Sequence, residues 1–207
     1  MEGNVIVMFM RPLRASACVV AVRSASSSSP SVSVRMTPAW ANRVSTAVSD
    51  VGRSAGSRAT AEWTAEQGMN LMSSTLLTED TGVPFHQLQA EQIQMFRDAW
   101  TEASHEREPR VSVSRSIFPI VNDTDRAYFG AESRSQDQVG FIDGGTARFG
   151  KTYAGEPDQL VKDLAEDEAI AAADTLLLTI PNQLGVDYNA HLLDSIVRYV
   201  APELGWR

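Results

Sequence analysis

The sequence predicts an α/β fold built on a parallel sheet. Three observations carry that prediction. Helical runs alternate with short apolar strands, Ile117 to Val121 is nearly continuous apolar as in a strand covered on both faces, and glycine or proline marks most junctions.

The first ordered unit is Ser54 to Leu76, SAGSRATAEWTAEQGMNLMSSTL. Gly56 frees the backbone for a tight turn, Ser57 is an N-cap type, Arg58 to Gln67 is helix-compatible, and Gly68 stands where a C′ glycine belongs. Met69 to Leu76 then reads as a strand. From Phe85 to Ser104, the residues Phe85, Leu88, Ile93, Phe96, Ala99, Trp100 and Ala103 recur at helical spacing, which predicts an amphipathic helix packed on the sheet. Val111 to Val121 is the second strand: Val111 and Val113 alternate with Ser112 and Ser114, and Arg115 intrudes before the apolar run. Arg115 is a candidate for either a phosphate contact or an interior ion pair. Asp123 to Gly130 reads as a turn or short helix, and the glycine-rich Ala131 to Gly155 as an excursion over one end of the sheet. Pro157 opens a helix to about Ala171, with Asp163, Glu166, Asp167 and Glu168 on its solvated face. Asp174 to Ile180 is the third strand, Pro181 to Asp187 a loop, and Tyr188 to Val200 a closing helix stopped before Pro202.

Met1 to Arg53 differs in kind. It is rich in Ser, Ala, Val and Arg, has six Arg against Glu2 and Asp50, and has no sustained period of 3.6 or 2. An organellar transit peptide has this composition. So does a segment that no packed core selected, from a shifted reading frame or a misplaced start, and this is the preferred reading, with residues 1–53 expected to be poorly ordered. The remaining residues carry 12 basic and 24 acidic side chains, a balance that argues against nucleic acid and fits a cytoplasmic enzyme. The single cysteine, Cys18, excludes a disulfide framework within the chain, and no window is long and apolar enough to span a membrane.

Two motifs point to other chemistries. Gly145 to Thr152 satisfies GxxxxGK[ST], but the Gly155 and Pro157 that follow oppose the helix a P-loop requires. Gly52-Arg53-Ser54-Ala55-Gly56 satisfies GxSxG, with Asp174 and His191 following in hydrolase order, but the preceding segment is polar where a nucleophile elbow needs a buried strand. His86, His105 and His191 have no ligand-spaced partners, so no metal site is expected.

The blocks at 54–76, TGVPFHQLQAEQIQMFRDAW at 81–100, RVSVSRSIFPIV at 110–121 and DTLLLTIPNQLGVDYNAHLLDSI at 174–196 resemble the C-terminal half of a luciferase-like flavin-dependent monooxygenase, a (βα)8 barrel family. The resemblance implies a partial TIM barrel over 54–207 and a low-complexity segment over 1–53. A complete barrel takes roughly 250 residues, so a truncated, impaired barrel is expected. It also implies reduced FMN supplied by an NAD(P)H:flavin reductase, or a deazaflavin in its place, with O2 and a small organic substrate. By the same resemblance, Gly56, Ser57 and Arg58 form the cofactor phosphate site. No catalytic residue can be named. Ser73, Ser74, Thr78, Asn122, Asn182 and Gln183 are candidates only by position at strand ends. A non-catalytic barrel remnant, able to bind a phosphate or another chain through an open sheet edge, is the alternative, and a homo-oligomer is possible.

Overall fold

The computed structural model describes residues 5–10, 52–142 and 145–206, of which Val5–Met10 is described as backbone only. Its elements are β1 (Val5–Met10), β2 (Gly52–Ala55), α1 (Arg58–Glu66), β3 (Asn70–Ser73), β4 (Leu76–Leu77), α2 (Phe85–Glu102), β5 (Val111–Arg115), β6 (Ile117–Pro119), α3 (Asp123–Phe129), β7 (Gln138–Ile142), β8 (Gly145–Phe149), β9 (Tyr153–Gly155), α4 (Pro157–Ala165), α5 (Glu168–Ala172), β10 (Thr175–Ile180) and α6 (Gly185–Tyr199). Single 3-10 turns fall at Glu132–Arg134 and Asn182–Leu184.

The main sheet has the order β1-β10-β5-β3-β2. Strands β2, β3, β5 and β10 are parallel and lie side by side in chain order. Such monotonic parallel order requires each connection to cross over, and helices supply the crossovers. α1 packs on α2 and α2 on α5, in the order of the strands they connect. Beyond β10 the order breaks: β1 joins antiparallel, Val5 opposite Ile180 and Met10 opposite Thr175. A parallel sheet with helices is therefore present, as the sequence predicted.

Alternation along β5 defines the two faces. Val111, Val113 and Arg115 are buried, while Ser112 and Ser114 are half-buried on the other face, where Ser114 Oγ and Thr179 Oγ1 are 3.0 Å apart. The core gathers Leu71, Ile93, Phe96, Val111, Val113, Leu160, Leu164, Leu178, Leu192 and Ile196. The helical spacing of α2 is realised, with Phe85, Leu88, Ile93, Phe96 and Trp100 all buried.

Several expectations need correction. The main sheet holds five strands where three were expected. Gly52–Ala55, read partly as a glycine turn, is β2: it pairs Gly52 with Asn70 through Ala55 with Ser73, so the register with β3 overrides its weak local signal. Val5–Met10, within the 1–53 segment, forms β1; residues 1–4 and 11–51, on which the expectation of poor order mostly falls, lie outside the described residues. The excursion 131–155 is more regular than expected. β7 and β8 form an antiparallel hairpin whose inner strand pairs with β4, and β9 lies parallel to β6. The helix from Pro157 is two helices, because Asp167 accepts from Ile170 N at 3.0 Å and so caps a new helix, α5.

Candidate functional site

The predicted phosphate turn lies at the C-terminal end of β2, where parallel α/β sheets place their ligands. Ser57 is extended (φ −144°) and its Oγ accepts from Thr60 N at 3.2 Å, an N-cap as expected. The carbonyl of Gly56 accepts from Thr78 N at 2.8 Å and from Thr78 Oγ1 at 3.1 Å, which fixes the turn. The N–H of Arg58, at the positive end of α1, donates to Glu79 Oε1 at 3.0 Å. Arg58 Nε is 3.4 Å from Glu79 Oε2, and its guanidinium also pairs with Glu91. A carboxylate thus sits where the resemblance implies a phosphate. Glu79 was invisible to the sequence reading: it is 21 residues from Arg58, and an acid in a loop after a strand carries no signal of its own.

Behind this turn is a buried amide network. Gln92 Nε2 donates to the carbonyls of Ala55 (3.2 Å) and Ser57 (2.9 Å), while its Oε1 accepts from Ser73 Oγ at 2.6 Å. Gln89 Nε2 donates to Ser73 Oγ at 3.0 Å and to the carbonyl of Ser74 at 2.7 Å. Two glutamines on α2 therefore satisfy the carbonyls at the ends of β2 and β3, as buried polar backbone demands. Ser73 and Thr78 are committed to this scaffold, and Ser74 Oγ accepts from Leu76 N at 3.4 Å.

Of the two alternatives for Arg115, the interior ion pair is the one formed. Its Nε and Nη2 reach Asp167 Oδ2 and Oδ1 at 2.7 and 3.0 Å, a bidentate fork, and both side chains are buried. Tyr153 OH donates to the same carboxylate at 2.7 Å. Burial alone would push the Asp167 carboxyl up. The Arg115 charge and the hydrogen bonds from Arg115, Ile170 N and Tyr153 outweigh it and hold that carboxyl below its ordinary value. Asp167, read as part of a solvated acidic face, is thus the buried centre of a three-residue cluster.

A second cluster forms around Asp125. Tyr188 OH donates to Asp125 Oδ1 at 2.6 Å, His191 Nε2 lies 3.0 Å from the same oxygen, and Asn122 Nδ2 lies 3.2 Å from that ring nitrogen. Burial, then hydrogen bonding to Asp125, raises the Tyr188 phenol above its ordinary pKa. Asn122 also caps α3, accepting from Asp125 N at 2.9 Å. Asn182 and Gln183 lie in the 3-10 turn after β10.

The competing motifs do not assemble. Gly145–Phe149 is β8, and Gly150-Lys151-Thr152 leads into β9 and not into a helix; Lys151 N and Thr152 N donate to Asp137 Oδ1 and Ser135 Oγ, both at 3.0 Å. Ser54 lies in β2, Asp174 accepts from Val111 N at 2.8 Å, and His191 is held by Asp125, so no Ser-His-Asp relay forms. Among the described residues, no group of three His, Cys, Asp or Glu could hold a metal, and no helix is long and apolar enough to cross a membrane. An open groove of about 740 Å³, lined in part by Arg97, Trp100, His105, Arg107 and Asp174, lies at the opposite, N-terminal end of the strands. Its polar groups serve the scaffold: Arg107 donates to Gly68 O and Asn70 Oδ1, and Trp100 Nε1 to Arg107 O. No protein-family model and no curated protein matches the chain.

Proposed function

We propose that residues 54–207 belong to the later part of a luciferase-like (βα)8 barrel, and that the Gly56-Ser57-Arg58 turn is its anion seat. In that reading the lineage activity is a flavin-dependent monooxygenation of a small organic substrate, with reduced FMN, or a deazaflavin, and O2. The monotonic parallel order of β2, β3, β5 and β10 supports the barrel reading, since consecutive barrel strands are neighbours. The observation that carries the site is the Glu79 carboxylate on the Arg58 N–H and guanidinium: the helix end already accepts an anionic oxygen.

The residues fit the FMN phosphate on one condition. Glu79 must leave, because one N–H and one guanidinium cannot serve both anions, and Glu91 remains beside Arg58. When bound, the flavin supplies the oxygen chemistry; the chain supplies the Arg58 contacts, the Ser57 cap and the turn fixed by Thr78. The seated Glu79 equally supports the second reading, a barrel remnant that binds anions without turnover.

Titration of FMN fluorescence tests the seat. Replacing Glu79 by Gln removes the competing charge and is expected to tighten binding roughly tenfold, a difference of about 1.4 kcal/mol. Arg58→Ala is expected to weaken it. FMN binding that ignores both substitutions, or no binding in Glu79→Gln, overturns the proposal. Because free reduced FMN consumes O2 unaided, a rate of its oxidation that changes when the chain is added separates enzyme from remnant, and a parallel deazaflavin titration separates the cofactors.

A further inference from the structure

β7 is the outer strand of the small sheet β4-β8-β7, with β8 on one side and, among the described residues, an open edge on the other. Natural edge strands guard that side with lysine, proline or other charge. The sequence of β7, QVGFI, has none of these. Its apolar side chains instead stand in solvent, Phe141 at 84% exposure, Val139 at 51% and Ile142 at 37%. In an antiparallel pair, successive residues alternate between bonding the neighbour and turning their amides away. Two residues separate Ile142 from its partner Gly145, so this pair closes the hairpin by hydrogen bonds, and Gly140 and Gln138 follow in phase. The N–H and C=O of Val139 and Phe141 therefore face the open edge.

We propose that β7 pairs antiparallel with the β7 of a second copy of this chain, about a two-fold axis at Gly140. The strand is complementary to itself. The axis sets Val139 opposite Phe141 of the second copy and Gln138 opposite Ile142, so the outward amides of Val139 and Phe141 are satisfied in both copies and no like charges meet. Any other centre carries the pairing past an end of the strand. Toward the N-terminus it meets Asp137, whose carboxylate already accepts from Phe85 N and Lys151 N. The result is one six-stranded sheet in which the β7 edges of both copies are used at once, so pairing through β7 stops at two copies.

Sedimentation velocity over a concentration series tests this. A single strand pair buries less than the roughly 1,000 Å² of a stable interface, so a weak, concentration-dependent dimer is expected. Phe141→Lys and Val139→Pro should each weaken it tenfold or more; the proline removes an outward N–H that β8 does not use. Val186→Lys, at a site 85% exposed on α6, should leave it unchanged. Amide exchange should show Val139 and Phe141 protected only where the dimer forms. A monomer up to ~1 mM, the weak end of specific association, overturns the proposal. So does open-ended assembly, or a dimer that responds to Val186→Lys as strongly as to Phe141→Lys.

Discussion

Replacing Asp167 by Asn is the sharpest test of how the strand ends are held. Asp167 is 1% exposed, and its two oxygens accept four hydrogen bonds, from Arg115 Nε and Nη2, Tyr153 OH and Ile170 N. Asparagine keeps one acceptor and turns an NH2 toward donors, which leaves the Arg115 guanidinium, itself 4% exposed, without a counter-charge. Removing one partner of a buried pair costs about 3–5 kcal/mol, a large share of the roughly 5–15 kcal/mol that holds a domain together. Urea unfolding followed by circular dichroism should show the midpoint falling at an unchanged slope. The double replacement Arg115→Met, Asp167→Leu removes both charges and should cost less than Asp167→Asn alone. A loss below ~1 kcal/mol in the single variant, or a double variant worse than the single, would refute the reasoning. The pH dependence has a fixed sign. Because the folded carboxyl is held below its ordinary value, the unfolded chain takes up the proton first. This contribution is therefore full above about pH 4, the unfolded carboxyl's range, and is lost as pH falls through the lower folded value. Asp167→Asn should lack that acid-labile component.

Three further outcomes are expected. Asp137→Ala strips a carboxylate from the N–H of Phe85 at the start of α2 and from Lys151 N, and should cost about 1–2 kcal/mol in unfolding free energy, the range of a lost helix cap. Gly68→Ala should destabilise by about 1–2 kcal/mol: the residue adopts φ +66°, and a Cβ there would lie 3.2 Å from His105 Cε1. In alkaline difference spectroscopy, Tyr153 and Tyr188 should ionise above the ordinary tyrosine range of about 10. Burial and the neighbouring Asp167 raise Tyr153, and burial and Asp125 raise Tyr188. Stability from these two phenols is full below the unfolded tyrosine pKa of about 10 and is lost as pH rises toward their folded values.

What the sequence revealed was local. The Ser57 cap, the Gly68 terminator and the spacing of Phe85 to Trp100 each act within a few residues, and each reappears in the fold. What it concealed was held by distant partners. β2 shows no alternation and exists through its register with β3, and the burial of Asp167 depends on Arg115, 52 residues away. The Asp143-Gly144 dipeptide between two runs containing apolar residues is a hairpin signal that could have found β7 and β8. The candidate site divided the same way: its cap was readable, whereas Glu79 and the glutamines behind the turn became visible only once the chain had folded.

The antiparallel seat of β1 beside β10 has a consequence for the order of events at the ribosome. Val5 meets Ile180, so a strand made earlier must wait for one made much later in the chain. Contacts of such long sequence separation form slowly. Until Thr175 to Ile180 emerge, the nascent chain holds Val5 to Met10 without this partner, an interval in which a holdase chaperone has something to grasp.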